Sequence, residues 1–438
     1  MRRDQSRFLK KRALEAGKGV LIAALVMLAL FLVTETGLYS GGLGTEELFR
    51  RIGGLTIFGA DEFPEGNGAE RPVFPEAARP MAMAVTFEDG SRYGVKYSTE
   101  VYTAYERLKP VLRGALGSAG EAEKIDGTEW ERALERRGVY FDFMFGQSLS
   151  MLMEWLGGGE RPGGILERSA RRLLISEEGS GLYLYYIDER DGEFYRASTA
   201  LGSFLLEPIL PEFSPNQAVF GYEDGRYKER DPYFLYVGDM PDIQDFEVRT
   251  MPRNVMDEIF PVFEMNRYVA GRISLANGGE GYIENDSYLE IYPSGIIRFS
   301  GGMSLGTAEV ESLTALEAAA QAREMAAACL KPAEGRDWLN LSSLEYDSES
   351  LEYTITFSYI LAGTPVIYAD SDSAAEIKIR GGEVASATIY AREYIPASER
   401  EGRLLPERQA AAIAAQKGRG EPRLLYMDTG TAARAAWY

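Results

Sequence analysis

The run GVLIAALVMLALFLV, from Gly19 to Val33, carries no polar side chain. It constrains the chain more than any other stretch, because apolar runs of this kind belong in a bilayer or in an export signal. The charge-free segment from Gly19 to Thr34 falls short of the ~20 residues needed to cross a membrane. Lys18 can snorkel toward the headgroups, and Glu35 is the single charge before Tyr39. A usable span therefore covers 19–39. No A-x-A cleavage pattern follows it, and no cysteine follows it closely enough for lipid attachment. The expectation is an uncleaved anchor; a cleaved export signal is the competing reading.

The flank before the run holds Arg2, Arg3, Arg7, Lys10, Lys11, Arg12 and Lys18 against Asp4 and Glu15. Such a flank stays in the cytoplasm, so the bulk of the chain should face outward from the cell membrane. The whole chain has a net charge of −20, and the part beyond Lys18 is more acidic still. Nucleic acid and anionic lipid surfaces would repel it. Cys329 is the one cysteine, so no intrachain disulfide exists. An exported, anchored, disulfide-free chain fits a bacterium.

The pattern predicts an α+β architecture. One transmembrane helix is followed by two or three extracytoplasmic units, each made of antiparallel hairpins with helices on one face. The divisions are a basic tail (1–18), the anchor (19–39), a Gly-, Pro- and Glu-rich spacer (40–75), a first unit (76–242), a second unit (255–400) and a tail without a clear core (401–438). A polar joint with prolines, 238–254, separates the units. Asp89-Gly90, Asp191-Gly192 and Asp224-Gly225 mark hairpin turns between alternating runs, as do Ser294-Gly295 and Gly381-Gly382. One helix is expected after Ser98 and Thr99, kinked or split at Pro110. Another is expected with Thr128 as cap, Glu131 at the third position and Gly138 as stop. The strongest runs from Thr314 to Leu330, with Glu317 completing a capping box. Ile355, Phe357, Tyr359, Ile377 and Ile379 are expected on buried strand faces.

The chemistry is sparse. With no histidine anywhere, Ser-His and Cys-His nucleophile pairs and histidine-ligated zinc drop out. Cys329 sits in an alanine-rich helix with no base, and is read as a packing residue. The cluster GGGERPGG, 157–164, lacks a following G-K-[ST] and reads as a loop. Asp370, Asp372 and Glu376 resemble the start of a calcium loop, but the central glycine and the twelfth-position glutamate are missing, so a turn is preferred. No spacing selects a carboxylate pair for glycoside hydrolysis. Tyr183, Tyr185 and Tyr186 could line a groove, but read better as sheet packing. No catalytic residue, cofactor site or metal site is expected.

The segments YLEIYPSGIIRFSGG and LEYTITFSYILAGTPVIYADSDSAAEIKIRGGEVASATIYAREY resemble the last domain of the YycH/YycI family. Gly363, Pro365 and Val366 form its G-x-P-V element, and RGVYFDFMFGQSLSMLMEWL is similar to its strand-then-helix step. The C-terminal part also resembles PepSY-type modules. These segments are backed by the shared layout of a basic N-terminus, one anchor and an ectodomain. The resemblance implies a non-enzymatic, membrane-anchored regulator of a cell-wall sensor histidine kinase (WalK/YycG) in low-GC Gram-positive bacteria. Its partners would be that kinase, through transmembrane helix and ectodomain, and a related paralogous regulator. The alternative is a module binding peptide, lipid or wall fragments, or behaving as a protease inhibitor. Within the anchor, Gly19 and Ala23 form a small-xxx-small face that could pack on a partner helix; the competing and plainer reading is that Gly19 marks the helix start and the alanines are ordinary filler.

Overall fold

In the computed structural model, the described residues are 79–158, 164–224, 231–237, 243–250, 256–304, 313–332, 337–398, 404–416 and 422–438. The basic tail, the anchor with Gly19 and Ala23, and the 40–75 spacer lie outside them. So do Gly225 and residues 159–163 of the glycine cluster. Among the described residues, no helix is long and apolar enough to cross a membrane.

Two large sheets organise these residues. The first gathers β1 (Ala82–Thr86), β2 (Arg92–Lys96), α1 (Glu100–Ser118), β3 (Ala122–Ile125), α2 (Gly127–Glu135), β4 (Gly138–Ser148), α3 (Leu149–Trp155), β5 (Ser169–Glu178), β6 (Gly181–Asp188) and β7 (Phe194–Gly202). Its strand order is β2-β1-β4-β5-β6-β7-β3, all antiparallel. Gly90 and Gly192 take the left-handed conformation that their Asp-Gly turns demand. One face buries Phe141 against Tyr105 of α1. The other buries Ala84, Tyr140, Leu174 and Tyr185 beneath Trp130 of α2 and a small hairpin, β8 (Val219–Phe220) with β9 (Leu235–Tyr236). Both faces are covered, where the hairpin pattern predicted helices on one. Strands β4, β5 and β6 bury consecutive residues, Val139–Phe141, Leu173–Ile175 and Leu184–Tyr186, so both faces are apolar, and residues 213–224 and 231–237 help α2 to cover the second.

Three local expectations change. Helix α1 runs unbroken through Pro110. Val101, Ala104, Tyr105 and Leu108 before the proline, and Val111, Leu112, Ala115 and Leu116 after it, bury one continuous stripe that outweighs the lost hydrogen bond. Its cap residue Thr99 makes no side-chain cap; the Ser98 hydroxyl accepts from the Glu100 amide instead. Helix α2 starts one residue before Thr128, and Asp126 is the cap, accepting from the Glu129 amide at 2.8 Å. Gly138 does not stop that helix. It opens β4, where a Cβ would fall 2.4 Å from the Ile175 carbonyl oxygen.

The second sheet is built from β10 (Phe246–Thr250), α4 (Met256–Val262), β11 (Gly271–Ser274), β12 (Glu280–Glu284), β13 (Ser287–Ile291), β14 (Ile296–Ser304), α5 (Ala315–Leu330), β15 (Asp337–Asp347), β16 (Glu352–Leu361), β17 (Thr364–Tyr368), β18 (Ala375–Arg380), β19 (Glu383–Tyr390), β20 (Arg392–Pro396), α6 (Glu407–Gln416), β21 (Leu424–Asp428) and β22 (Ala432–Trp437). Its order is β11-β12-β13-β14-β19-β18-β16-β17-β21-β22-β10-β20, with β15 on the free side of β16. Among the described strands, only β17 and β21 pair in parallel. Ile355, Phe357, Ile377 and Ile379 are buried, as alternation predicts. Helix α5 lies on their face, and its Thr314–Glu317 capping box forms as read.

The polar joint contributes β10, and the C-terminal tail contributes α6, β21 and β22. Leu424, Tyr426 and Ala433 in that tail are fully or almost fully buried. Alternation over five residues in β21, or over the six mostly alanine residues of β22, is a weak signal, and pairing with β17 and β10 gives these strands a core. The two predicted units and the tail belong to one compact unit spanning Glu65–Tyr438.

Candidate functional site: a buried charge junction

Strand β2 reads RYGVK, so Arg92, Gly94 and Lys96 share one face. On the end strand of a sheet, such a face would normally meet water. Here Arg92 and Lys96 are each only 4% exposed. The segment leading into β8 covers Gly94; Phe220 and Glu223 cover Arg92; and β9 with α6 covers Lys96. The Asn216 side chain imitates a neighbouring strand, accepting from the Gly94 amide at 2.8 Å and donating to its carbonyl at 2.7 Å. A Cβ on Gly94 would sit 2.5 Å from that of Ala218. Arg92 reaches Glu223 at 2.7 Å, donates to the Thr86 hydroxyl at 3.2 Å, and stacks over the Phe220 ring.

Lys96 goes the other way along the same face. Its ammonium pairs with Glu407, the first residue of α6, and donates to the Leu235 carbonyl. It lies 4.0 Å from the Phe234 ring centroid, with Tyr97 at 5.2 Å and Tyr236 at 5.6 Å. The Glu407 carboxylate also accepts from the Val237 amide at 3.4 Å. Burial pushes the Lys96 ammonium below its ordinary range and the Glu407 carboxyl above its own; each partner's charge opposes the shift of the other. Beside them, Asp142 accepts two bonds from Arg171 and one from Arg172, and Arg172 grips Asp231 with both terminal nitrogens. Lys96, Tyr97, Arg171, Pro365 and Arg423 border a cleft of about 90 Å³ between the sheets.

This arrangement pairs its charges within the chain: Arg92 with Glu223, Lys96 with Glu407, and Arg171 and Arg172 with Asp142 and Asp231. A cation caged by aromatic rings and met by one carboxylate holds its partner well only while both are present. Sequence reasoning missed both residues. The available signal was a strand with two cations on one face and no acids to pair them locally, which calls for a distant cover.

The residues weighed in the sequence fall elsewhere. Cys329 is buried in α5, and burial pushes its thiol up to about 12. Asp370 accepts from the Tyr390 hydroxyl at 2.9 Å, Asp372 is exposed, and Glu376 stands opposite Thr356 on β18. Among the described residues, no three of His, Cys, Asp and Glu are grouped to hold a metal. Tyr185 and Tyr186 are buried in β6, and Tyr183 is half-buried.

The fold is an α+β assembly of an antiparallel sheet and a second, largely antiparallel one, joined by the C-terminal segment, with a buried charge junction where they meet. No family model matches the chain, and no curated protein matches it significantly. In three dimensions it is similar to YycH from Bacillus subtilis, with a TM-score of 0.54 and 12% identity. That likeness covers 84% of this chain and 94% of that one, and it is one of fold. An uncharacterized protein from Eubacterium rectale overlaps with a TM-score of 0.28 and 14% identity, over 44% of this chain and 75% of that one.

Proposed function

We propose that the chain is a membrane-anchored extracytoplasmic regulator. It modulates a sensor histidine kinase of a cell-wall two-component system by protein–protein contact, and it performs no chemistry of its own. The fold it shares with YycH along most of both chains is the observation that carries this reading. The resemblance of the Gly363–Val366 element, the basic flank before Gly19, and the strongly acidic remainder support it. A regulator of this kind acts through contacts that differ between the kinase's states. In the bilayer, the Gly19–Ala23 face would pack on a kinase transmembrane helix, and a paralogous regulator would share the complex.

The test is co-purification of the full chain with the sensor kinase of its own cell, together with a reporter of kinase output. Wild type should co-purify and shift the output. Gly19→Ile with Ala23→Ile should insert normally yet weaken association by roughly 1–2 kcal/mol, the scale of such helix contacts. Leu21→Ile with Leu25→Ile should change little. A chain that neither co-purifies with the kinase nor alters its output would overturn the proposal.

A further inference from the structure

Strand β11 ends the second sheet, and among the described residues no strand pairs with its outer edge. All of its residues, Gly271 to Ser274, are exposed. The Leu275 amide donates to the Gly279 carbonyl at 2.8 Å, and the bonds of an antiparallel ladder recur at every second residue. Gly271 and Ile273 therefore bond to β12, and the backbone groups of Arg272 and Ser274 point away from the sheet. Such an edge is usually guarded by a lysine, a proline or a bulge. Other sheet ends here follow that habit: Asn216 caps β2 at Gly94, β3 carries Lys124, and β20 closes on Pro396. Strand β11 has none of these, and its register with β12 is unbroken. Its outer face is apolar as well. Ile273 is 41% and Ile283 47% exposed. Ile273 and Tyr288 both lean over Gly281, where an added Cβ would lie 2.8 Å from the first and 3.0 Å from the second. Just before the strand, a turn tied back to Asn266 displays Tyr268 at 90% exposure and Val269 at 69%.

We propose that this edge pairs with a second copy of the chain, β11 on β11, antiparallel about a two-fold axis. The strand itself selects the register. An axis at Arg272 sets two like charges directly opposite, which is unfavourable. An axis at Ser274 carries Arg272 past the end of the other strand. An axis at Ile273 puts Arg272 opposite Ser274 of the other copy. The outward N–H and C=O groups of both residues then find each other, in about four hydrogen bonds across the axis. On the outer face Ile273 meets its own counterpart, and Leu275 falls opposite Gly271, a large residue against a gap. On the other face Arg272 lies beside Ser274 of the other copy, and that Ser274 stands opposite Glu280, the acid that Arg272 holds in its own chain. The charges between residues 266 and 284 are Arg267, Arg272, Glu280 and Glu284. This stretch is thus neutral on a chain of −20, so two copies meet there without the repulsion that the rest of their surface imposes. The contact is small and of the transient class, with dissociation on the order of 10 µM. It goes beyond the kinase reading and does not depend on it, since the chain is tested alone.

The test is sedimentation velocity on the full chain in detergent micelles. Wild type should pass from monomer to dimer as its concentration rises through values on the order of 10 µM. Ile273→Lys sets two ammonium groups face to face at an exposed site. It should stay monomeric over the same range, with an unchanged melting temperature. Oxidation by copper–phenanthroline then reads the register, because the native Cys329 is buried and gives no background. Ile273→Cys meets its own counterpart at a Cα separation of about 4.5 Å, which a disulfide spans. Ser274→Cys faces its counterpart only along a diagonal of about 7–8 Å. The first should join two chains at least about tenfold faster than the second. A wild type that is monomeric throughout would overturn the proposal. So would an Ile273→Lys chain that dimerises as readily as wild type, which is the mark of a dimer held by the anchor, or equal crosslinking of the two cysteine variants.

Discussion

A Cβ placed on Gly363 would lie 2.3 Å from the carbonyl carbon of Ser98. Gly363 turns the chain between β16 and β17 in the second sheet; Ser98 leads into α1 above the first. The two backbones touch where a side chain would stand, and Gly363 holds φ at +85° there. The G-x-P-V element thus has a physical reason that lies outside its own sheet. Pro365, two residues on, borders the cleft beside Lys96.

Gly363→Ala should therefore cost more than a turn glycine ordinarily does. Left-handed backbone alone costs an alanine about 1–2 kcal/mol, and here a backbone clash adds to it. Gly381→Ala is the control: its φ is +57° and nothing lies within 4 Å of its added methyl. Chemical denaturation of the two variants should show the first losing at least about 2 kcal/mol more than the second. Equal losses would mean that the contact with Ser98 yields easily.

Ile377 and Phe357 are fully buried on paired strands beneath α5. Aspartate at either place would bury an unpaired charge, a cost of several kcal/mol. Each variant should lose its cooperative melt or melt far below wild type by calorimetry. An unchanged melting temperature would contradict the assignment of that face to the core.

Cys329 should be chemically silent in the folded chain. Its thiol is held up to about 12 by burial, so the thiolate is roughly one part in ten thousand at pH 8. A thiol-specific chromogenic reagent should titrate close to no sulfur in the native protein and one per chain in denaturant. The sign for stability follows. The unfolded thiol ionises near the ordinary value of about 8.5. The contribution is thus full below that pH and is lost as pH rises toward about 12. Prompt stoichiometric labelling of the native chain would rule this placement out.

Tyrosines shift the same way. Burial raises Tyr93, Tyr185, Tyr186 and Tyr233 to about 12, and Tyr140 and Tyr394 well above the ordinary phenol range. The unfolded chain ionises these phenols near pH 10. Their contribution is complete below that pH and falls away between about 10 and 12, because the unfolded state sheds its protons first. Phenolate absorbance should rise in a steep step that coincides with loss of far-ultraviolet dichroism. A gradual titration centred near pH 10, with the fold intact, would show that these rings are accessible.

Much of this architecture was present locally. Asp89-Gly90 and Gly381-Gly382 demand left-handed turns wherever they occur. Thr314 and Glu317 cap a helix using only neighbours three residues apart, and Ile377 and Ile379 alternate strongly enough to mark a core face. These are short-range devices, whose energetics are complete within a few residues, so the sequence alone determines them. The tertiary structure decided the rest. Pro110 stays inside a helix because the core pays for its missing bond. Gly138 and Gly363 must be glycine because of backbones 37 and 265 residues away. Strands β21 and β22 exist because β17 and β10 are there to pair with them. Lys96 and Glu407 stand more than three hundred residues apart, and neither carries any local mark of the other. What joins them is burial, which makes each charge costly alone, and burial is a property of the assembled fold.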